Sequence, residues 1–176
     1  MNPRLGTILM LALAFAPLSC KRARTIQVEQ TEEGGPRLAS VVHVADPKVE
    51  PQLVNGFYGI EGNAWRWTAR QFSVVLRVPS GSAQGGAVLD LDLTVPQVTI
   101  DKLKSVTLSA AADGHPLPPE TYTTSGAYHY KRDIPPGTLA GPSAKLEFQL
   151  DKAMPPANGD LRELGVIVAS VGLAAK

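Results

Sequence analysis

Only one cysteine occurs among the 176 residues, at position 20, so no disulfide can staple the chain internally. The fold must rest on its own core. Charge of one sign is also missing, since 17 Lys and Arg stand against 16 Asp and Glu. That balance removes the electrostatic reason to expect a nucleic-acid partner. No apolar run reaches the ~20 residues that a membrane-spanning helix needs. Sustained helical spacing is absent as well, and 16 Gly and 15 Pro leave little room for long helices. Catalytic signatures are missing too. The chain has no G-x-S-x-G elbow, Walker loop, Rossmann glycine pattern or H-E-x-x-H. His43, His115 and His129 are scattered without zinc-ligand spacing, and neither a metal nor a cofactor is expected. These absences point to a binding protein rather than an enzyme.

What is present starts at the first residue. Arg4 and the amino terminus supply positive charge, and a mainly apolar run follows from Leu5 to Ala16. Pro17, Leu18 and Ser19 then lead to Cys20. A basic start, a short apolar middle and small residues before a cut are the layout of a secretory signal peptide. The segment resembles the lipobox of bacterial lipoproteins, with Leu18 and Ser19 fitting the pattern and Pro17 departing from it. The resemblance implies cleavage after residue 19, lipidation of Cys20, and a membrane anchor in the cell envelope. Cleavage after Ala14–Phe15–Ala16, giving a secreted protein, is the rival, although proline just beyond the cut disfavours it. Residues 20–37 read as a tether whose Lys21, Arg22 and Arg24 would lie beside lipid headgroups. Residues 38–176 form the domain.

Within that domain the dominant signal is strict alternation. Phe72, Val74, Leu76 and Val78 share one face of an extended strand, and Leu89, Leu91, Leu93 and Val95 share another. Val106, Leu108 and Ala110 repeat the pattern, as do Tyr128 with Tyr130 and Leu146 with Phe148 and Leu150. The segment from Leu164 to Leu173 is apolar on both faces, which predicts a central strand. Short strands separated by Gly and Pro predict an all-β antiparallel sandwich, jelly-roll-like, in one domain. Asp90 and Asp92 alternate with leucines and so belong to a solvated polar face.

Trp65 and Trp67 have odd parity, whereas Phe72, Val74 and Leu76 have even parity. One regular strand cannot bury both sets on the same face. A bulge or a turn near Ala69–Arg70–Gln71 would reconcile them, and a hairpin joining 64–68 to 72–78 is the favoured form.

The stretch from Gly56 to Thr68 also carries the candidate site. With the segment from Arg162 to Val168, it resembles a motif of bacterial β-sandwich domains found alone or beside glycan-processing enzymes. The resemblance implies a jelly-roll or galactose-binding-like sandwich and no particular reaction. Aromatic rings stack on sugar faces while Arg and Glu bond hydroxyls, so Tyr58, Glu61, Trp65, Arg66 and Trp67 are candidate glycan-binding residues. The competing reading places both tryptophans in the core, with Glu61 and Arg66 paired beside them. On that reading Trp67→Ala should be costly and Arg66→Ala mild. Tyr128 and Tyr130 form a second candidate glycan-binding patch, or else pack at the sandwich edge. The expected partners are a membrane, through Cys20, and a glycan or cell-envelope polymer. The alternative is a protein–protein module in an envelope assembly.

Overall fold

Alternation becomes a core most plainly in Ala87–Val95, whose residues are buried and half-buried by turns. Leu89, Leu91 and Leu93 are at most 1% exposed. Each such side chain contributes about 1.5–3 kcal/mol by leaving water. The computed structural model describes residues 38–176 apart from Asn158. The leader 1–19, Cys20 and the tether 20–37 lie outside the described residues.

Among the described residues nine strands follow in order: β1 (Val41–His43), β2 (Leu53–Glu61), β3 (Trp65–Arg77), β4 (Ala87–Val95), β5 (Val106–Ala112), β6 (His115–Tyr122), β7 (Gly126–Ile134), β8 (Ser143–Leu150) and β9 (Ile167–Ala175). Every pairing among them is antiparallel. The sheet runs β6-β5-β8-β3-β9-β4-β7, with β1 beside β9 and β2 beside β3. It folds over at β3 into a sandwich. The first residues of β3, Arg66 and Trp67, pair with β9, whereas Gln71 to Arg77 pair with β8. One layer therefore holds β7, β4, β9 and the start of β3. The other holds β6, β5, β8 and the end of β3. Within the second layer, Phe72 of β3 stacks on its β8 neighbour Phe148 at 4.8 Å, and Phe57 of β2 meets Phe72 edge-on at 5.5 Å.

The far edges are joined by side chains. Tyr130 donates its hydroxyl to the Pro118 carbonyl at 2.7 Å, and Arg132 Nε donates to the same oxygen. This clasp between β7 and β6 nearly closes the sheet and protects edges that would otherwise invite pairing.

β9 is central, as its two apolar faces predicted. It pairs with β4 along most of its length and with β3 and β1 on its other side. The approach to β9 is tight. A Cβ on Gly165 would lie 2.8 Å from Thr68 Oγ1 and 2.6 Å from Leu150 Cδ1, so only glycine fits there.

The hairpin expected between 64–68 and 72–78 does not form. β3 is one strand, and its hairpin partner is β2, reached through a tight turn at Gly62 and Asn63. The parity conflict disappears because Arg66 and Thr68, not the tryptophans, point inward with Phe72, Val74 and Leu76. An irregularity near 69–71 is nevertheless real, since the β2 register slips between Asn55 and Phe57. Gly56 sits there at φ 74, so close to β3 that a Cβ would collide with the Gln71 carbonyl.

Helices are short. α1 (Ser82–Gly85) and α2 (Gln97–Leu103) link strands, and a 3-10 helix spans Pro47–Gln52. α2 went unseen in the sequence because seven residues carry too little periodicity. Among the described residues no helix is long and apolar enough to cross a membrane.

Candidate functional site

The turn at the end of β2 sets Glu61 opposite Trp65. Trp65 and Trp67 project from the outward side of β3, each half-buried. Their rings meet edge to face at 6.5 Å and 80°. Trp67 lies across from Ile167 of β9, which is itself half-buried. Both indoles therefore keep part of their surface open to solvent.

Beside them stands Arg162, supplied by the segment that leads into β9. Its Nη1 donates to Glu61 Oε1 at 2.8 Å and its Nη2 to Asp160 Oδ2 at 2.9 Å. The guanidinium also lies over the Tyr58 ring, 5.2 Å from its centroid. Tyr58 in turn donates its hydroxyl to the Glu163 carbonyl at 2.9 Å. These bonds fix the ring and the guanidinium together. Hydrogen bonds from Arg162 hold the Asp160 carboxyl below the usual carboxylate range. The same carboxylates, Asp160 first and then Glu61, bind the Arg162 proton more firmly than usual.

Four of the predicted residues therefore come together: Tyr58, Glu61, Trp65 and Trp67. Arg66 does not join them. It points into the protein, 5% exposed, with Nε donating to the Val44 carbonyl at 2.7 Å and Nη1 to the Tyr58 carbonyl at 3.0 Å. Its ion-pair partner is Glu50, not Glu61. The reason is alternation: if 65 and 67 face solvent, 66 must face inward. The expectation that both tryptophans are core residues fails on the same geometry.

Tyr128 and Tyr130 form no platform. Tyr130 is fully buried, with the Arg132 guanidinium 4.0 Å above its ring. Tyr128 packs on Tyr122 at 4.6 Å and shares a hydrogen bond with Thr124. Both belong to the edge clasp.

Arg162 was the residue that sequence reasoning missed as a member of the site. It lies about a hundred positions from Glu61, and no local pattern announces that pairing. From Trp67 the outer face continues along the register. Trp67, Ile167, Thr94 and Ala127 make one row, and Ser170, Asp92 and His129 the next. Beyond them Asp90 accepts from Lys131 at 3.2 Å and lies 3.0 Å from His129 Nδ1. Asp90 and Asp92 thus occupy the outward face that their alternation implied. Small residues on β9, Ser170, Gly172 and Ala174, leave a cavity of about 420 Å³ there. Among the described residues no cluster of three His, Cys, Asp or Glu is placed to hold a metal ion.

No protein-family model matches the chain, and no curated protein does. Among solved structures it is similar to a family GH115 4-O-methyl-α-glucuronidase with specificity for decorated arabinogalactans (15% identity, TM-score 0.48). That match covers 96% of this chain and 20% of the glucuronidase, so the chain spans about a fifth of that protein. It is similar also to the CBM36-1 domain of a multidomain xylanase from the hindgut metagenome of Trinervitermes trinervoides (12% identity, TM-score 0.42). There 77% of this chain and 98% of the other are covered. A third similarity is to the CBM51-2 and INT domains of Clostridium perfringens ZmpB, determined with GlcNAc. It has 16% identity and a TM-score of 0.36, over 77% and 28% of the two chains.

Proposed function

We propose that this chain is a lipid-anchored, extracytoplasmic binding module that takes a glycan at the corner formed by Tyr58, Glu61, Trp65, Trp67 and Arg162. The observation that carries the reading is the outward placement of two tryptophans beside an ordered Arg–Glu pair. Indole rings offer stacking surface to the apolar face of a sugar, and the neighbouring pair offers donors and acceptors to its hydroxyls. The anchor rests on the apolar run that ends at Cys20.

The reading is one of binding and not of glycoside cleavage. A general acid requires a carboxyl whose proton is held at neutral pH. Asp160, the carboxyl bonded to Arg162 at this corner, is shifted the opposite way.

A glycan-array screen of the protein tests the reading, followed by titration of any hit against intrinsic fluorescence. Trp65 and Trp67 are the chain's two tryptophans, so occupancy of the corner should change their emission directly. Trp67→Ala should remain folded and lose at least tenfold in affinity, about 1.4 kcal/mol. Unchanged affinity in a folded Trp65→Ala, Trp67→Ala double variant would reject the site.

A further inference from the structure

The outer face of the second layer carries a groove unconnected with the tryptophan corner's hydrogen bonds. Its register sets Ser109, Gln149 and Gln71 in one row across β5, β8 and β3. Ala111, Glu147, Ser73 and Asn55 make the next row, which reaches β2. Rows two residues apart along a strand are separated by about 6.8 Å. Small side chains at 73, 109 and 111 lie between the longer ones at 71, 147 and 149. The result is a cavity of about 450 Å³, within the range of small-ligand sites.

The chemistry of this lining is selective. Asn55, Gln71, Ser73, Ser109 and Gln149 are all neutral groups able to donate and accept. Among the described residues, none of these five side chains has a hydrogen-bond partner. Gln52 and Gln97, by contrast, are both paired within the protein. Ser73 is the most enclosed of the five, 6% exposed, and it lines the cavity. These groups open onto the solvent of the groove, and ligand hydroxyls would take the place of the water they bond. The groove's two charges cancel, since Lys145 Nζ lies 2.6 Å from Glu147 Oε1. A neutral lining draws neither a polyanion nor a polycation. Val54, at 52% exposure, is its one large exposed apolar side chain, too little for a protein interface core.

We propose that this groove is a second binding site, selective for a neutral oligosaccharide held edge-on through its hydroxyls. Side-chain amides match vicinal hydroxyls because each partner both donates and accepts. Without an aromatic platform, affinity comes from hydrogen bonds that replace bound water, so the site binds weakly and depends on several sugar units at once. The site does not depend on the tryptophan corner, and together the two would let one chain hold two glycan strands.

The test is a ¹⁵N NMR titration of the whole chain with cellohexaose, xylohexaose, mannohexaose and chitohexaose, plus a hexagalacturonate as the anionic control. At least one neutral hexasaccharide should shift the side-chain amide signals of Asn55, Gln71 and Gln149 to saturation, and the hexagalacturonate should not. Indole signals of Trp65 and Trp67 report the corner separately, so failure of one site is distinguishable from failure of the other. A Gln71→Ala, Gln149→Ala double variant changes two exposed side chains. It should keep its melting temperature and weaken binding by about tenfold or more. The proposal is overturned if no neutral sugar moves these amides, if the double variant binds unchanged, or if the anionic sugar binds equally well.

Discussion

Replacing Arg66 with alanine should be among the most damaging single changes in this domain. The side chain is 5% exposed and donates to the carbonyls of Val44 and Tyr58, which lie on separate segments. It thereby ties the β1 end and β2 to the inner side of β3. Its removal strands these acceptors, each costing about 1–3 kcal/mol when left unsatisfied in the interior. The Arg66 stem is also lost from packing. Together, two stranded carbonyls and the lost packing should cost about 3–5 kcal/mol. For a domain of this size that lowers the melting temperature by about 10–15 °C. Glu50→Gln is the control. The Glu50 side chain is 62% exposed, so its loss should cost under about 1 kcal/mol. Trp67→Ala should fall between the two, at about 1–2 kcal/mol, because the indole is only half-buried. Urea or thermal unfolding by circular dichroism measures all three. If Trp67→Ala proves costlier than Arg66→Ala, the inward assignment of residue 66 is wrong.

Tyr122→Phe should leave stability unchanged or raise it, as read by thermal melting, because the buried Tyr122 hydroxyl has no partner among the described residues. The same change should reduce sensitivity to alkali. Burial raises the Tyr122 and Tyr130 hydroxyl pKa values above the unfolded value near 10. Their contribution is therefore complete below pH 10 and is lost as pH rises through the raised folded values. Melting curves between pH 9 and pH 12 should show a smaller decline in Tyr122→Phe than in the parent. Truncation after Asp160 should abolish the cooperative transition, because it deletes β9 and leaves β4, β3 and β1 without their shared partner. A truncated chain that melts like the parent would refute the central placement. Cys20→Ser should shift the protein from the detergent-extracted membrane fraction to the soluble one. Intact-mass measurement of the parent should show loss of residues 1–19 and added acyl chains; an unacylated product beginning at Pro17 would exclude the anchor.

Composition and period determined the class of this protein without help from three dimensions. Leu89, Leu91 and Leu93 alternate with Asp90, Asp92 and Thr94, and such a pattern can bury only one face of a strand. The segment before Leu173, apolar on both faces, had to lie between two other strands, and β9 does. Tertiary structure alone decided which face of residues 65–68 turns inward. Hydropathy ranks tryptophan above arginine for burial, yet the carbonyls of Val44 and Tyr58 and the carboxylate of Glu50 converge on residue 66 from distant segments. Arg162 entered the corner in the same way, through a contact with Glu61 made across about a hundred residues. Tyr130 left the list of candidates because β6 happens to supply the Pro118 carbonyl where its hydroxyl ends. Local periodicity reports which residues share a face. Which face is buried depends on long-range partners for polar groups, and no local pattern encodes those.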